Sequence, residues 1–232
     1  MLPKIEVPKH EILVPSKNEK LWFRPFLVKE EKILLMAGES GQDKDILDAI
    51  KQILTNCCLD ELDVAKLAVF DLEYVFLKLR SISVDNICKL SFDDLEDKKT
   101  YNFEVDLDKL ELVTNDEHTN IIEINDSVKI KMKYPTVDIT DKMETIKSEV
   151  EILDKLVLSC VDSIYDSETV YEGYTEDELR EFMNGLEGKV YGKIREFFDT
   201  MPKVYHKIEY TNEMGSKREI ELRSIKDFFS WG

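Results

Sequence analysis

Chemistry in this chain would have to come from three histidines, four cysteines, one glycine-bracketed stretch and two acidic clusters. The stretch GESGQDKD (38–45) has the glycines of a phosphate loop. It lacks the Gly-Lys-Ser/Thr order that sets backbone amides and a lysine on phosphates. The same residues read more simply as a helix stopped by Gly38 and a second helix opened by Asp43. Cys57, Cys58, Cys88 and Cys160 form no CxxC pair, and adjacent Cys57 and Cys58 are not easily bridged, so buried reduced thiols are expected. The clusters FDDLEDK (92–98) and YDSETVYEGYTEDE (165–178) miss the alternating ligands and central glycine of a calcium loop. His10, His118 and His206 belong to no HExxH motif, and no serine sits in a nucleophile elbow. A small hydrolase would need His118 or His206 to converge with acids such as Asp116 or Glu209 in one pocket. The expectation is a protein without catalytic apparatus, metal or cofactor, working through protein contacts.

The elements that would position these residues alternate in type. Residues 4–26 read as short extended pieces punctuated by Pro3, Pro8 and Pro15. Val28 to Ala37 then reads as a helix with Val28, Lys32, Leu35 and Met36 on one side. A second helix from Asp43 places Ile46, Leu47, Ile50, Ile53 and Leu54 at helical spacing. The stretch AVFDLEYVFLKLRSISV (68–84) is apolar around most of its circumference, which marks a central core helix. The period then drops to two in YNFEVDL (101–107) and VKIKMKY (128–134), with a hairpin turn at Asn125-Asp126. Lys142 to Ile164 reads as helix again, where Ile146, Val150, Leu153, Val157, Cys160 and Ile164 follow a 4-3-4-3-4 spacing, a short heptad seam. Thr175 and Glu178 form a capping box for a helix continuing to Phe197 through Gly185 and Gly188. A last hairpin and an aromatic tail, FFSWG, close the chain.

The fold class is therefore α+β: a helical core with an inserted antiparallel β-sheet and a C-terminal β-hairpin. Three parts are expected within one composite body: residues 1–83, 84–138 and 139–232. With 32 basic against 49 acidic residues the net charge is −17, which argues against binding nucleic acid or an anionic membrane. No apolar run spans a bilayer, and MLPKIEVPKH lacks the apolar core of a signal peptide, so synthesis in a cytosol is expected.

The strings LPKIEVPKHEILVPSKNEKLWFRPFLVKEEKILLMA (2–37), VFDLEYVFLKLRSISV (69–84) and IKMKYPTVDI (130–139) occur in an order similar to the baseplate hub assembly proteins of T-even-like contractile-tailed bacteriophages. The closing segment FFDTMPKVYHKIEYTNEMGSKREIELRSIKDFF (197–229) resembles the same family, so the likeness spans nearly the whole chain. It implies a chaperone-like, non-catalytic factor in the host cytoplasm that contacts hub or tape-measure proteins during tail assembly. The alternative implied role is a permanent subunit of the baseplate hub. Some family members carry cysteine pairs, suggestive of zinc, in the turns of the middle sheet and last hairpin. Here those turns read SFDDLEDKKTYNF (91–103) and TNEMGSK (211–217), so no metal role carries over.

Three sets of residues are candidates for partner contacts. Arg24, Lys29, Glu30, Glu31 and Lys32 would form a charged patch at the first helix. Ile146, Val150, Leu153 and Val157 would form the seam. Phe228, Phe229 and Trp231 would form a terminal aromatic cluster, docked on the body or presented to a partner. The partner's identity and the oligomeric state are not written in these patterns.

Overall fold

A computed structural model describes residue 3, residues 6–143 and residues 145–228. The chain forms two compact units: Met1–Val113 with Lys203–Gly232 (unit 1), and Thr114–Pro202 (unit 2). The class is α+β, with seven α-helices and only small antiparallel sheets among the described residues.

Unit 1 begins with a hairpin, β1 (His10–Val14) and β2 (Glu19–Phe23), whose alternation turns Ile12, Val14, Leu21 and Phe23 inward. Its tip, Pro15–Asn18, closes with Asn18 in the left-handed region at φ 49°. That tip is pinned by buried Asp71, which accepts the Ser16 N–H at 2.9 Å and the Ser16 hydroxyl. Three helices follow: α1 (Val28–Ser40), α2 (Asp43–Cys57) and α3 (Val69–Ser83). In α2, Ile46, Ala49, Ile50, Ile53, Leu54 and Cys57 are buried, a stripe at the period of the helix. In α3, Phe70, Leu72, Val75, Phe76, Leu77 and Leu79 are buried on several sides, as its composition predicts. Burial of side chains of this size stabilises by about 1.5–3 kcal/mol each. The hairpin of β3 (Ile87–Asp93) and β4 (Thr100–Asp106) and the short β5 (Leu112–Val113) complete this half.

Unit 2 holds a four-stranded antiparallel sheet in the order β6 (Ile121–Glu123), β7 (Lys129–Met132), β8 (Val161–Tyr165) and β9 (Val170–Tyr171). Helices α4 (Val137–Met143) and α5 (Glu149–Ser159) connect β7 to β8, and α6 (Glu176–Asn184) and α7 (Gly188–Thr200) follow β9. Ile122, Ile130, Val157, Cys160, Ile194 and Phe197 lie in one apolar cluster between sheet and helices. The chain then returns to unit 1. β10 (Lys203–Val204) pairs with β5, β11 (His206–Thr211) and β12 (Lys217–Leu222) form the last hairpin, and a 3-10 turn over Ile225–Phe228 buries both of its end residues.

Four expectations are corrected. The strands expected as one inserted sheet over 84–138 belong to two units: β3–β4 to unit 1, β6–β7 to unit 2. The helix expected over Lys142–Ile164 ends at Ser159, and Ile164 lies in β8, since a strand partner in β7 outweighs continued heptad spacing. The helix expected from Thr175 to Phe197 is two helices, parted at Gly185–Glu187. Gly38 lies inside α1, and the left-handed cap is Gly41 at φ 65°, donating to Gly38 O at 3.1 Å.

Candidate interaction surfaces

The entry to α1 is built around an inward ion pair. Pro25 ends the extended segment, and Glu30, three residues past the helix N-cap Leu27, reaches back to the Leu27 N–H at 2.9 Å. Arg24 donates to both oxygens of that carboxylate, at 2.9 and 3.2 Å. It also donates to Pro25 O at 3.0 Å and Asn56 O at 2.9 Å, tying α1 to the end of α2. The Glu30 side chain is 0 % exposed and that of Arg24 13 %. Burial pushes the Glu30 carboxyl up, but its bonds to Arg24 and to the Leu27 N–H outweigh this and hold it below the ordinary value. The five-residue charged patch is thereby corrected: Arg24 and Glu30 are internal, and only Lys29, Glu31 and Lys32 face solvent.

With Glu30 and Ala37 turned inward, the opposite side of α1 is presented to solvent. Val28, Leu35 and Met36, which their spacing places on one face with Lys32, are 66 %, 57 % and 70 % exposed, and Leu27 at the N-cap is exposed beside them. An apolar stripe on an outward helix face is an interaction surface in waiting. Sequence periodicity located the stripe; only the Arg24–Glu30 pair reveals which way it points.

The seam residues part company. Ile146 is half-buried in the turn before α5, Val150 is 79 % exposed, Leu153 packs at the margin of the unit 2 core, and Val157 is inside it. Ser148 caps α5, accepting the Glu151 N–H at 3.4 Å, so this helix starts after Ile146. The line thus crosses from surface to core. Val150→Glu should leave the unfolding free energy of unit 2, measured in urea, within about 0.5 kcal/mol of the parent. Val157→Glu, burying an unpaired carboxylate, should cost about 4 kcal/mol or more. Equal effects of the two would restore a continuous seam.

Phe228 is fully buried in unit 1, and the Cys88 thiol donates to its carbonyl at 2.8 Å. Phe229 and Trp231 lie outside the described residues.

The two cysteine-free turns meet in unit 1. Asp94, 5 % exposed, accepts Tyr210 OH at 2.9 Å, Arg218 Nε at 3.2 Å and Asn212 Nδ2 at 3.3 Å, while its other oxygen takes the Glu96 N–H at 2.8 Å. Glu96 receives Asn212 at 2.7 Å and Arg218 at 2.9 Å. Burial pushes the Asp94 carboxyl up, but these donors prevail and hold it at about 2. Tyr210 stacks obliquely on Tyr101 and Phe103 below, with ring centres 4.8 and 5.2 Å away.

His118 of unit 2 is held between Thr200 Oγ1 (2.9 Å from Nδ1) and Tyr134 OH (3.0 Å from Nε2), stacked against Tyr134 and Phe197. Thr200 spends its own proton on Glu196 O at 2.7 Å, so Nδ1 of His118 is the donor and the ring is neutral when Nε2 accepts from Tyr134. Burial lowers the His118 pKa, in the same sense. Its partners are thus Thr200 and Tyr134 rather than Asp116. His206 sits in β11 opposite Leu222, while Glu209 of the same strand pairs with Lys207 at 2.9 Å. His10 pairs with Phe23 across the first hairpin.

Cys57, Cys88 and Cys160 are buried free thiols and Cys58 is half-buried. Burial pushes Cys57 up to about 11 and Cys160 to about 12, which keeps both protonated and unreactive. Among the described residues no group of three or more His, Cys, Asp or Glu side chains could hold a metal ion, and no helix is long and apolar enough to cross a membrane.

No curated protein and no solved structure matches the chain. The family model described as T4 bacteriophage base plate protein matches residues 7–230, a stretch that takes in both units and every surface described above. The chain belongs to the T4 bacteriophage base plate protein family.

Proposed function

We propose that this baseplate protein acts in assembly: a chaperone-like, non-catalytic factor that binds hub or tape-measure components through protein contacts while the tail is built. The observation that carries this reading is the outward apolar face of α1, Val28, Leu35 and Met36, on a chain of net charge −17. Such a face, rimmed by Lys29, Glu31 and Lys32, suits a reversible contact made before incorporation. The engaged state of His118 supports the non-catalytic half of the reading. A permanent hub subunit would bury the same face for good, and counting separates the two. Quantitative mass spectrometry of purified mature particles should find the chain absent or far below fixed stoichiometry, while infected extracts contain it in complex with a hub or tape-measure protein. A constant copy number in every particle would overturn the assembly role in favour of the structural one. The double substitution Leu35→Glu/Met36→Glu should abolish that complex while changing the unfolding free energy measured in urea by no more than about 0.5 kcal/mol, since both side chains are largely exposed.

A further inference from the structure

Unit 2 carries a concave surface of about 310 Å³ walled by Val128, Ile164, Tyr174, Leu179 and Phe182, with exposed Tyr171 of β9 at its lip. Its one charged wall residue is Glu178, whose carboxylate is committed to the Thr175 N–H at 2.7 Å and the Thr175 hydroxyl at 2.9 Å. Small-molecule sites add a few convergent polar groups to apolar walls; here Glu178 Oε2 is held by Thr175 and the Tyr171 hydroxyl by Asp166, and the walls of the groove are otherwise mostly apolar. It has room for a large apolar side chain delivered by another polypeptide.

The surroundings say what should flank that side chain. From Asp166 to Glu187 there are eight acidic residues and one basic one, Arg180, which is consumed by Asp154 and by Glu176 at 2.7 Å. Asp166 accepts Tyr171 OH at 2.7 Å at the lip, and exposed Glu181 precedes Phe182 on α6. On the other side of Tyr174 and Leu179 lies a separate cavity of about 420 Å³ edged by Lys133, Lys142 and Lys155. Lys142 is paired with Asp138 at 3.0 Å and Lys155 with Glu151 at 3.9 Å. Cations of an incoming chain are therefore drawn to the α6–β9 side. There β9 is the last strand of its sheet, and its outer edge can take the main chain of an extended segment.

We infer that this groove docks an extended partner segment carrying a large apolar side chain between lysines or arginines. The inference uses a different surface from α1 and holds whether the chain leaves the particle or stays in it.

The full chain is titrated with the blocked hexapeptide Lys-Lys-Phe-Leu-Lys-Lys and with versions having serine or glutamate in place of the four lysines, followed by amide chemical shifts. The lysine peptide should bind saturably, shift Val128, Tyr171 and Phe182, and bind about tenfold or more tighter than the serine peptide, with the glutamate peptide inert. Added salt should weaken it. Glu181→Lys, an exposed change that leaves the apolar walls in place, should weaken binding about tenfold. Phe182→Ser should abolish it, with circular dichroism confirming that unit 2 is folded. Equal binding of the three peptides, shifts mapping elsewhere, or no binding of the lysine peptide would each overturn the inference.

Discussion

Glu30→Ala should destabilise unit 1 by about 3–5 kcal/mol, the usual cost of removing one partner of a buried ion pair. A domain of this size has about 5–15 kcal/mol in total, so the substitution takes a large share of it. The loss has two sources. The Arg24 guanidinium, 13 % exposed, is left without its counter-charge, and the Leu27 N–H at the start of α1 loses its acceptor. In urea, monitored by far-UV circular dichroism, the unit 1 transition should move to lower concentration, while Lys32→Ala, on the solvent side of the same helix, should stay within about 0.5 kcal/mol. Replacing both partners, Arg24→Met with Glu30→Leu, should recover part of the loss. Recovery is incomplete because Pro25 O and Asn56 O lose the donors that Arg24 supplied. The sign with pH follows from the lowered carboxyl: its contribution is full above the unfolded carboxylate's range and fades as pH falls through the folded value. An unchanged midpoint for Glu30→Ala would show that the pair does not hold α1 to α2.

Glu73→Gln is expected to act in the opposite direction. Glu73 lies on α3, its carboxyl pushed up to about 7 by burial, with Asp227 adding repulsion and the Ile225 N–H, at 3.3 Å, the one moderating donor. A folded-state value above the unfolded one favours the protonated form, so the stability linked to it is full below about pH 4.5 and is lost as pH rises through about 7. By linkage the full excursion is up to about 3 kcal/mol. Glutamine keeps an oxygen for the Ile225 N–H and has no charge to bury. The variant should match the parent near pH 4.5 and be more stable at pH 8, by about 2–3 kcal/mol. Because the net charge of −17 also penalises the compact state as pH rises, the difference between the two proteins is the quantity to read. Parallel curves for parent and variant would rule out an ionising Glu73 in the interior.

These two sites mark where sequence reading succeeds and stops. Elements whose pattern is local were legible: the stripe of α2, the all-round apolar α3, the alternation of β4 and β7, and the Thr175–Glu178 box, whose reciprocal bonds are present. Local pattern also placed Val28, Leu35 and Met36 on one face of α1. It did not say which way that face points, because nothing local says that Glu30 carries its own buried cation six residues upstream. The seam failed for a related reason. The spacing through Cys160 and Ile164 fits a helix and a strand equally well over so short a run, and pairing of Ile164 with Ile130 decides for the strand. The contact between the turns at Asp94 and Asn212 was invisible, since it joins residues 118 positions apart through polar side chains with no periodicity to betray them. The groove on unit 2 needs β8, β9 and α6 in place before its apolar walls face one another.

Phe228 fills the interior of unit 1 together with Phe23, Ile50 and Leu72, and unit 1 is interrupted by the whole of unit 2. The consequence is temporal. During synthesis the contiguous segment Thr114–Pro202 can leave the ribosome and fold while the strands of residues 203–222 are still inside the exit tunnel. The N-terminal hairpin and α1 to α3 meanwhile wait with an open core, exposing apolar surface that a late-arriving tail must cover. A chain truncated within residues 203–228 would keep the contiguous unit 2 and lack strands, or the buried Phe228, that complete unit 1.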